Sequence, residues 1–509
     1  MLNEIVRTRP DETALIDGDT TRTWGELIDR CVRTASLIEE AGVGPNGHIA
    51  VLMGNRAEYV EIILGAVLAG VWITPINRHL QAEEIAYILR DSAASLVFVD
   101  AERATLAESS DAAVVEVGPQ FEATLGDIGE RRLDDERLAR PAGATMIYTS
   151  GTSGRPKGVQ RARRATAGEA LDGFVAAGRP LGMDGRGPHL VTGPMYHAAP
   201  LLFAIYDLAA GAPMVIMRRW DERRFLELVA EHDVRHTHLV PTMFVRLLRL
   251  LEETPQPAAP SSLEMVLHGA APVSVDVKRR MIDWWGPVLR EYWGATEGGY
   301  CTLVDSAEWM DHPGTVGRAV ANWEVYATGE DGARLPPGEE GLLFARNGAL
   351  ARPFEYHGDP DKTAAAYRQD GAFTTGDVGR VEADGHVYLT DRESNMIISG
   401  GVNIYPAEIE QVLAEHPAVA DVAVFGVPDD EWGEAVKAAV EPRAGRAPVD
   451  DSAAEALAGE LIEYARERLA GYKVPRSIDF EEQLPRHPTG KLYTRLLRER
   501  YWKGKTRRI

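Results

Sequence analysis

The sequence predicts an α/β fold: a large N-terminal domain of doubly wound sheets, a small β-rich subdomain, and a separate α+β piece at the C-terminus. Three observations carry this. Short β-branched runs alternate with helical periodicity up to about Asp311. Strands joined by Gly- and Pro-rich turns then take over, as at Leu335-Pro336-Pro337-Gly338. Beyond Asp391-Arg392 a second alternation of helices and strands begins.

In chain order, His48 to Met53 reads as a buried strand, Arg56 to Leu68 as a helix and Val71 to Pro75 as the next strand. Leu96 to Val99, Pro213 to Met217, His236 to Val240 and Leu263 to Leu267 continue the rhythm. Val325-Tyr326, Gly341 to Arg346 and His386 to Leu389 form the β-rich part. Ala407 to Ala414 and Ala453 to Leu469 read as helices, with Val419 to Phe425 and Ala435 to Val440 as strands. The boundary falls at 391/392, giving domains 1–391 and 392–509.

The 509 residues carry 55 Lys+Arg and 77 Asp+Glu, a formal net charge of −22. Such a surface argues against nucleic-acid binding, yet local donors can still hold a nucleotide. Cys31 and Cys301 form no CxxC pair, so neither a disulfide framework nor a thiolate metal site is expected. No signal peptide is read at the N-terminus, and Ile62 to Ile73 is too short for a membrane span. A cytoplasmic, reducing setting fits. Lysines occur only at 157, 278, 362, 437, 473, 491, 503 and 505, arginine supplying the other cations. Where a lysine persists, a compact ammonium can be the requirement.

The strongest local signal is Met146-Ile147-Tyr148-Thr149-Ser150-Gly151-Thr152-Ser153-Gly154-Arg155-Pro156-Lys157-Gly158-Val159. A strand enters a loop of hydroxyls and glycines that ends in one cation, a combination suited to phosphate. It is not a Walker A loop, because the glycine–lysine spacing differs and Pro156 precedes the lysine. Further on stand Leu267-His268-Gly269-Ala270-Ala271-Pro272 and Tyr292-Trp293-Gly294-Ala295-Thr296-Glu297-Gly298-Gly299. Small residues in the first allow backbone to approach a flat ring, Trp293 offers a flat face, and Glu297 is a hard oxygen donor suited to Mg²⁺. Phe373-Thr374-Thr375-Gly376-Asp377 presents a carboxylate that can accept from a cis-diol. Asp391-Arg392, Ser399-Gly400-Gly401-Val402-Asn403-Ile404-Tyr405-Pro406 and Pro488-Thr489-Gly490-Lys491 complete the series.

Taken in order along nearly the whole chain, these segments resemble the adenylate-forming superfamily of acyl-CoA synthetases, peptide-synthetase adenylation domains and beetle luciferases. The resemblance implies an adenylation domain with a small β-barrel-like subdomain and a mobile α+β C-terminal domain. It also implies ATP and Mg²⁺ as cofactors and coenzyme A as cosubstrate. Thr149, Ser150, Gly151, Thr152, Ser153, Gly154 and Lys157 would bind phosphate, and Gly269, Ala270, Ala271, Trp293 and Gly294 would surround adenine. Thr296 would touch the α-phosphate, Glu297 would hold Mg²⁺, and Asp377 and Arg392 would meet the ribose. Lys491 would bridge the carboxylate and the α-phosphate. Gly400 and Gly401 would line the thiol tunnel after the C-terminal domain rotates. At the hinge the family has Asp or Lys followed by Asp, whereas this chain has Ser394 and Asn395.

Gly193 to Pro200 matches the segment in which amino-acid-activating relatives carry an aspartate; none is present here, which disfavours an amino-acid substrate. His197 resembles the aromatic gate of acyl-CoA synthetases, the alternative being a histidine at the core edge. Gly298 and Gly299 are expected to leave room for a fatty or other bulky hydrophobic acid. No carrier-protein domain follows, and Asp430 to Glu434 is close to a common acyl-CoA synthetase stretch. The leading expectation is an acyl-CoA ligase; an acyl-AMP ligase loading a separate carrier protein, a luciferase-type oxygenase and a non-catalytic nucleotide sensor stand as alternatives. A kinase lacks its motifs. Arg161, Arg163 and Arg164 could attract the 3′-phosphate of coenzyme A, make a peripheral membrane contact, or form a solvated face. The sequence leaves the oligomeric state open, a homodimer included.

Overall fold

Strands form where β-branched runs lie between turn residues, and the order of their pairing decides what reaches the site. The computed structural model describes residues 2–107, 111–129, 131–149, 156–253, 259–392, 395–399, 402–429, 432–486 and 492–503. These fall into two compact units. One comprises Met1–Pro313, Val320–Trp323 and Asn347–Ala372; the other comprises Gly314–Ala319, Glu324–Arg346 and Phe373–Ile509. The β-rich segment therefore groups with the C-terminal residues.

The first unit holds two sheets. In one, Ala113–Glu116, Leu96–Val99, His48–Leu52, Trp72–Pro75 and Ala144–Thr149 lie side by side in parallel. Lys157–Arg161 and then Phe354–Tyr356 extend it antiparallel. In the other, Thr13–Asp17, Met214–Ile216, His189–Val191, His236–Leu239, Met265–His268 and Leu289–Ala295 are parallel. Antiparallel strands flank it, Thr20–Thr23 on one side and Gly299–Asp305 on the other. Strands buried on both faces need helices over them. Ala57–Ala69 is apolar nearly all round and buried along its length, as such a helix should be. The helix Trp24–Glu40 opens with a capping box: Glu26 N–H donates to Thr23 Oγ1 at 3.2 Å, and Thr23 N–H donates to Glu26 Oε2 at 2.8 Å.

Among the buried polar groups of this unit, two clusters lie at the sheet that carries the 269–271 and 296–298 segments. Lys278, on the helix Val275–Trp285, is fully buried and donates to Glu291 Oε2 at 2.5 Å. Its ammonium lies 4.7 Å from the Trp309 ring centroid. Burial pushes Lys278 down and Glu291 up, while their mutual attraction opposes both shifts. The second cluster centres on Asp207, whose Oδ2 accepts from Nδ1 of His189 at 3.1 Å and of His236 at 2.7 Å, both rings taken with Nδ1 protonated. Burial raises the Asp207 carboxyl, but these two hydrogen bonds outweigh it and hold the pKa at about 2.

The second unit contains the antiparallel sheet Trp323–Thr328, Glu340–Asn347, Phe373–Val381 and Val387–Arg392. Its C-terminal part pairs Val419–Asp429 with Gly433–Pro442, and Ser477–Phe480 joins the latter in parallel. Ile409 and Leu413 from one helix and Leu461 from another pack on Val422, Val424, Val436 and Val440. The strands read from the sequence all occur, with ends shifted by a few residues.

Removing one member of a buried ion pair strands the other charge. Lys278→Met is therefore expected to cost about 3–5 kcal/mol, and the double variant Lys278→Met/Glu291→Leu to recover most of it, as read by urea denaturation. The Asp207 pKa is depressed from 3.8 to about 2, so its contribution is complete above pH 3.8 and is lost as pH falls through about 2. Asp207→Asn should melt lower at pH 7 and show less loss of melting temperature between pH 5 and pH 2 than the parent chain.

Candidate functional site

Antiparallel pairing of Ala144–Thr149 with Lys157–Arg161 sets Thr149 opposite Lys157. Ser150, Gly151, Thr152, Ser153 and Gly154 lie outside the described residues. Beside this strand pair is a cavity of about 230 Å³ lined by Tyr87, Asp91, Lys157, Tyr356, His357, Gly358 and Asp359. Two tyrosines brace its wall: Tyr148 donates to Asp91 Oδ2 at 2.6 Å, and the Tyr87 hydroxyl lies 3.1 Å from the Pro156 carbonyl oxygen. The Lys157 ammonium sits 5.3 Å from the Tyr356 ring centroid, and the Tyr356 hydroxyl donates to Glu297 Oε1 at 3.2 Å. Burial first, then the charge of Glu297, holds the Tyr356 phenol far above the ordinary tyrosine range.

Glu297 is placed by the other sheet. Leu289–Ala295 turns back into Gly299–Asp305, with Gly294 opposite Tyr300 and Ala295 opposite Gly299, leaving Thr296, Glu297 and Gly298 as the turn. Gly294 is required there, because a Cβ would lie 1.9 Å from the Gly299 carbonyl oxygen. Trp293, expected to stack on adenine, is 6% exposed and so is already a packed ring. One strand away, Met265–His268 runs into Gly269, Ala270 and Ala271. A Cβ at Gly269 would come within 2.8 Å of the Tyr292 ring and carbonyl. Ala270 adopts φ 67°, a left-handed conformation that costs a non-glycine residue on the order of 1 kcal/mol or more.

Gly299 differs from expectation. Its φ is +81°, which calls for glycine on backbone grounds, and a Cβ would lie 2.8 Å from an Arg161 guanidinium nitrogen. The room expected above it is therefore filled by Arg161. His197 caps the helix Ala198–Ala210, half-buried, with its ring centroid 4.5 Å from that of Tyr196. Asn55 holds the preceding loop: its Nδ2 donates to Gly193 O at 2.9 Å and to Met217 O at 3.1 Å, and its Oδ1 accepts from Met195 N–H at 2.8 Å. Neither Asn55 nor Tyr356 was visible as a site residue in the sequence, since each acts through contacts remote along the chain.

In the second unit, Asp377 is 7% exposed and pairs across the ladder with Arg392, while Thr375 donates to its carboxylate. The Arg392 side chain, Ser394, Gly400, Gly401 and Lys491 lie outside the described residues. At the expected hinge, Asp391 accepts from Asn395 Nδ2 at 3.2 Å and from Ala407 N–H at 2.8 Å.

Two family models match: AMP-binding enzyme over residues 2–354, and AMP-binding enzyme C-terminal domain over residues 408–491. The chain is 34% identical over 501 residues to feruloyl-CoA synthase of Amycolatopsis sp, covering 97% of each. It is 30% identical over 518 residues to the fatty acid–[acyl-carrier-protein] ligase ScoC of Streptomyces coeruleorubidus, covering 98% of this chain and 95% of that one. It is also similar, at 28% identity, to o-succinylbenzoate CoA synthetase (MenE) of Bacillus subtilis. The complex with the acyl-adenylate intermediate superposes with a TM-score of 0.83, covering 100% of this chain and 99% of that one. The complex with ATP and magnesium ion gives 0.81, covering 98% of each.

Gly294→Ala tests the turn that carries Glu297. It should destabilise the protein by about 3 kcal/mol in a denaturant titration, with weakened ATP binding, because the added methyl must displace backbone.

Proposed function

The chain belongs to the AMP-binding enzyme family, and on that premise we propose that it is an AMP-forming ligase that joins a carboxylic acid to coenzyme A through an acyl-adenylate. The observation that carries the reading is the meeting of Lys157, Tyr356 and Glu297. It brings a cation from the strand after the hydroxyl- and glycine-rich loop and a carboxylate from the turn of the other sheet to one tyrosine. Such a site suits a substrate that is polyanionic and metal-bound.

The reaction has two halves. A carboxylate oxygen of the acid attacks the α-phosphorus of ATP, and the bond to pyrophosphate breaks. A thiol then attacks the carbonyl carbon of the mixed anhydride, and AMP leaves. Two anions must meet in the first half, so neutralisation and alignment dominate. Lys157 neutralises phosphate charge, Thr296 donates to the α-phosphate, and Trp293 with Gly269, Ala270 and Ala271 bounds the adenine. Asp377 and Arg392 take the ribose. Glu297 fits Mg²⁺ because it offers a hard oxygen, half-buried and already held by a neutral hydrogen-bond donor. When bound, the ion adds charge stabilisation at the phosphates. Lys491 bridges carboxylate and phosphate in the first half. In the second, rotation of residues 392–509 withdraws it and presents Gly400 and Gly401 to the thiol.

The acid is a bulky hydrophobic one, fatty or aromatic. The support comes from Ala198 and Ala199, two small residues that pack against an apolar cluster containing Phe203, Tyr206, Leu267 and Tyr292. Gly299 lends no support, since Arg161 occupies the space beside it. Carrier-protein loading is the second reading, favoured by the similarity to ScoC.

Mass spectrometry of products formed from MgATP, coenzyme A and a carboxylic-acid library tests the assignment. Acyl-CoA with AMP is the expected pair; acyl-AMP without thioester would favour the carrier-protein reading, and no turnover would favour a nucleotide sensor. Lys491→Ala should slow acyl-AMP formation by roughly 10²–10³-fold while leaving thiol transfer from supplied acyl-AMP nearly intact, as read by separate half-reaction assays.

A further inference from the structure

We propose that Tyr356 is a positioning residue: its hydroxyl holds the Glu297 carboxylate in the orientation that receives Mg²⁺. This rests on the reading of Glu297 as the metal ligand and extends it to a residue outside every motif that carries the family resemblance.

The geometry is over-determined. Phe354–Tyr356 is the edge strand of its sheet and pairs with Lys157–Arg161, placing Tyr356 opposite Val159. His357 N–H donates to Gly158 O at 2.8 Å just beyond the strand end. Tyr356 N–H donates to Thr363 Oγ1 at 2.9 Å. The Tyr367 hydroxyl accepts from Phe354 N–H at 3.0 Å and donates to Phe354 O at 2.7 Å. The Phe354 ring packs edge-on against Tyr356 with centroids 5.4 Å apart. A ring fixed from so many sides offers its hydroxyl at one place, and Glu297 Oε1 is 3.2 Å from it.

The choice of a phenol has a physical reason. A free glutamate carries several rotatable bonds, and ordering them opposes binding of an ion that demands near-octahedral geometry. An outer donor removes that cost and leaves other carboxylate lone pairs for the ion. A lysine or arginine in the same place would also orient the carboxylate, but it would neutralise it and repel the cation. Tyr356 orients without charge. Its ring meanwhile receives the Lys157 ammonium at 5.3 Å from the centroid, so one aromatic side chain engages the cation by its ring and the carboxylate by its edge hydroxyl.

Tyr356→Phe keeps the ring and removes only the hydroxyl. The test is calorimetric titration of the full-length chain with ATP, without acid substrate, at increasing Mg²⁺. The expected result is unchanged affinity for metal-free ATP, a melting temperature within about 2 °C of the parent, and a Mg²⁺ requirement for tight ATP binding raised by ~10-fold or more. A Mg²⁺ requirement equal to that of the parent would overturn the proposal. So would an equal loss of affinity with and without Mg²⁺, which would make the hydroxyl a nucleotide contact. Glu297→Gln serves as the separate control. If it leaves the Mg²⁺ requirement unchanged, the metal assignment of Glu297 itself has failed, and the role of Tyr356 with it.

Discussion

The site is built on a buried charge pair. Lys278 and Glu291 join the helix Val275–Trp285 to the strand Leu289–Ala295 at 2.5 Å, and His268 of the adjacent strand lies 3.9 Å from the same carboxylate oxygen. These two strands end in the turns 269–271 and 296–298, where the chain needs glycine, a left-handed alanine and an exact Cα approach. An apolar core tolerates repacking, because one methyl contact resembles another. A buried ammonium does not, since it must find its carboxylate. The register between helix and strands is thereby fixed beneath the two turns that surround the proposed nucleotide.

Charge is handled differently at long and short range. The net charge of −22 would disfavour a nucleotide at a distance, but exposed charges are screened within about 8–10 Å in physiological salt. Close in, Lys157 and Arg161 lie on one strand, with sheet periodicity placing them on the same face. Arg161 reaches to Gly299 across the seam, and the Lys157 ammonium lies over the Tyr356 ring. A few placed cations suffice where water is displaced, which is why the total charge says little about what the site binds.

How far the sequence reveals this depends on the range of each contact. The strands His48–Leu52 and Leu96–Val99 were legible because burial on both faces leaves an uninterrupted apolar run. The segments around Thr149–Lys157 and Thr296-Glu297 stood out because their signals lie in consecutive residues. Asn55 was not: it holds Gly193 and Met217, 138 and 162 positions away. Tyr356 was not, because a tyrosine in a strand is ordinary until its partner is known. Gly299 misled for the opposite reason. A missing side chain looks like open space, but here φ demands the glycine and a guanidinium fills the gap. The helix Trp24–Glu40 carries a local signal in Thr23 and Glu26, whose side chains and backbone cap one another.

The first unit is discontinuous, and this bears on how the polypeptide emerges during translation. Glu297 is made 59 residues before Tyr356, and about half of the intervening stretch belongs to the other unit. A nascent chain released at the end of Met1–Pro313 would already contain both parallel sheets and the Lys278–Glu291 pair, yet its outer edge at Lys157–Arg161 would be bare. Such an edge is open to pairing with any passing strand until Phe354–Tyr356 arrives. Completion of the sheet edge and arrival of the hydroxyl that meets Glu297 thus coincide in one late step of biosynthesis.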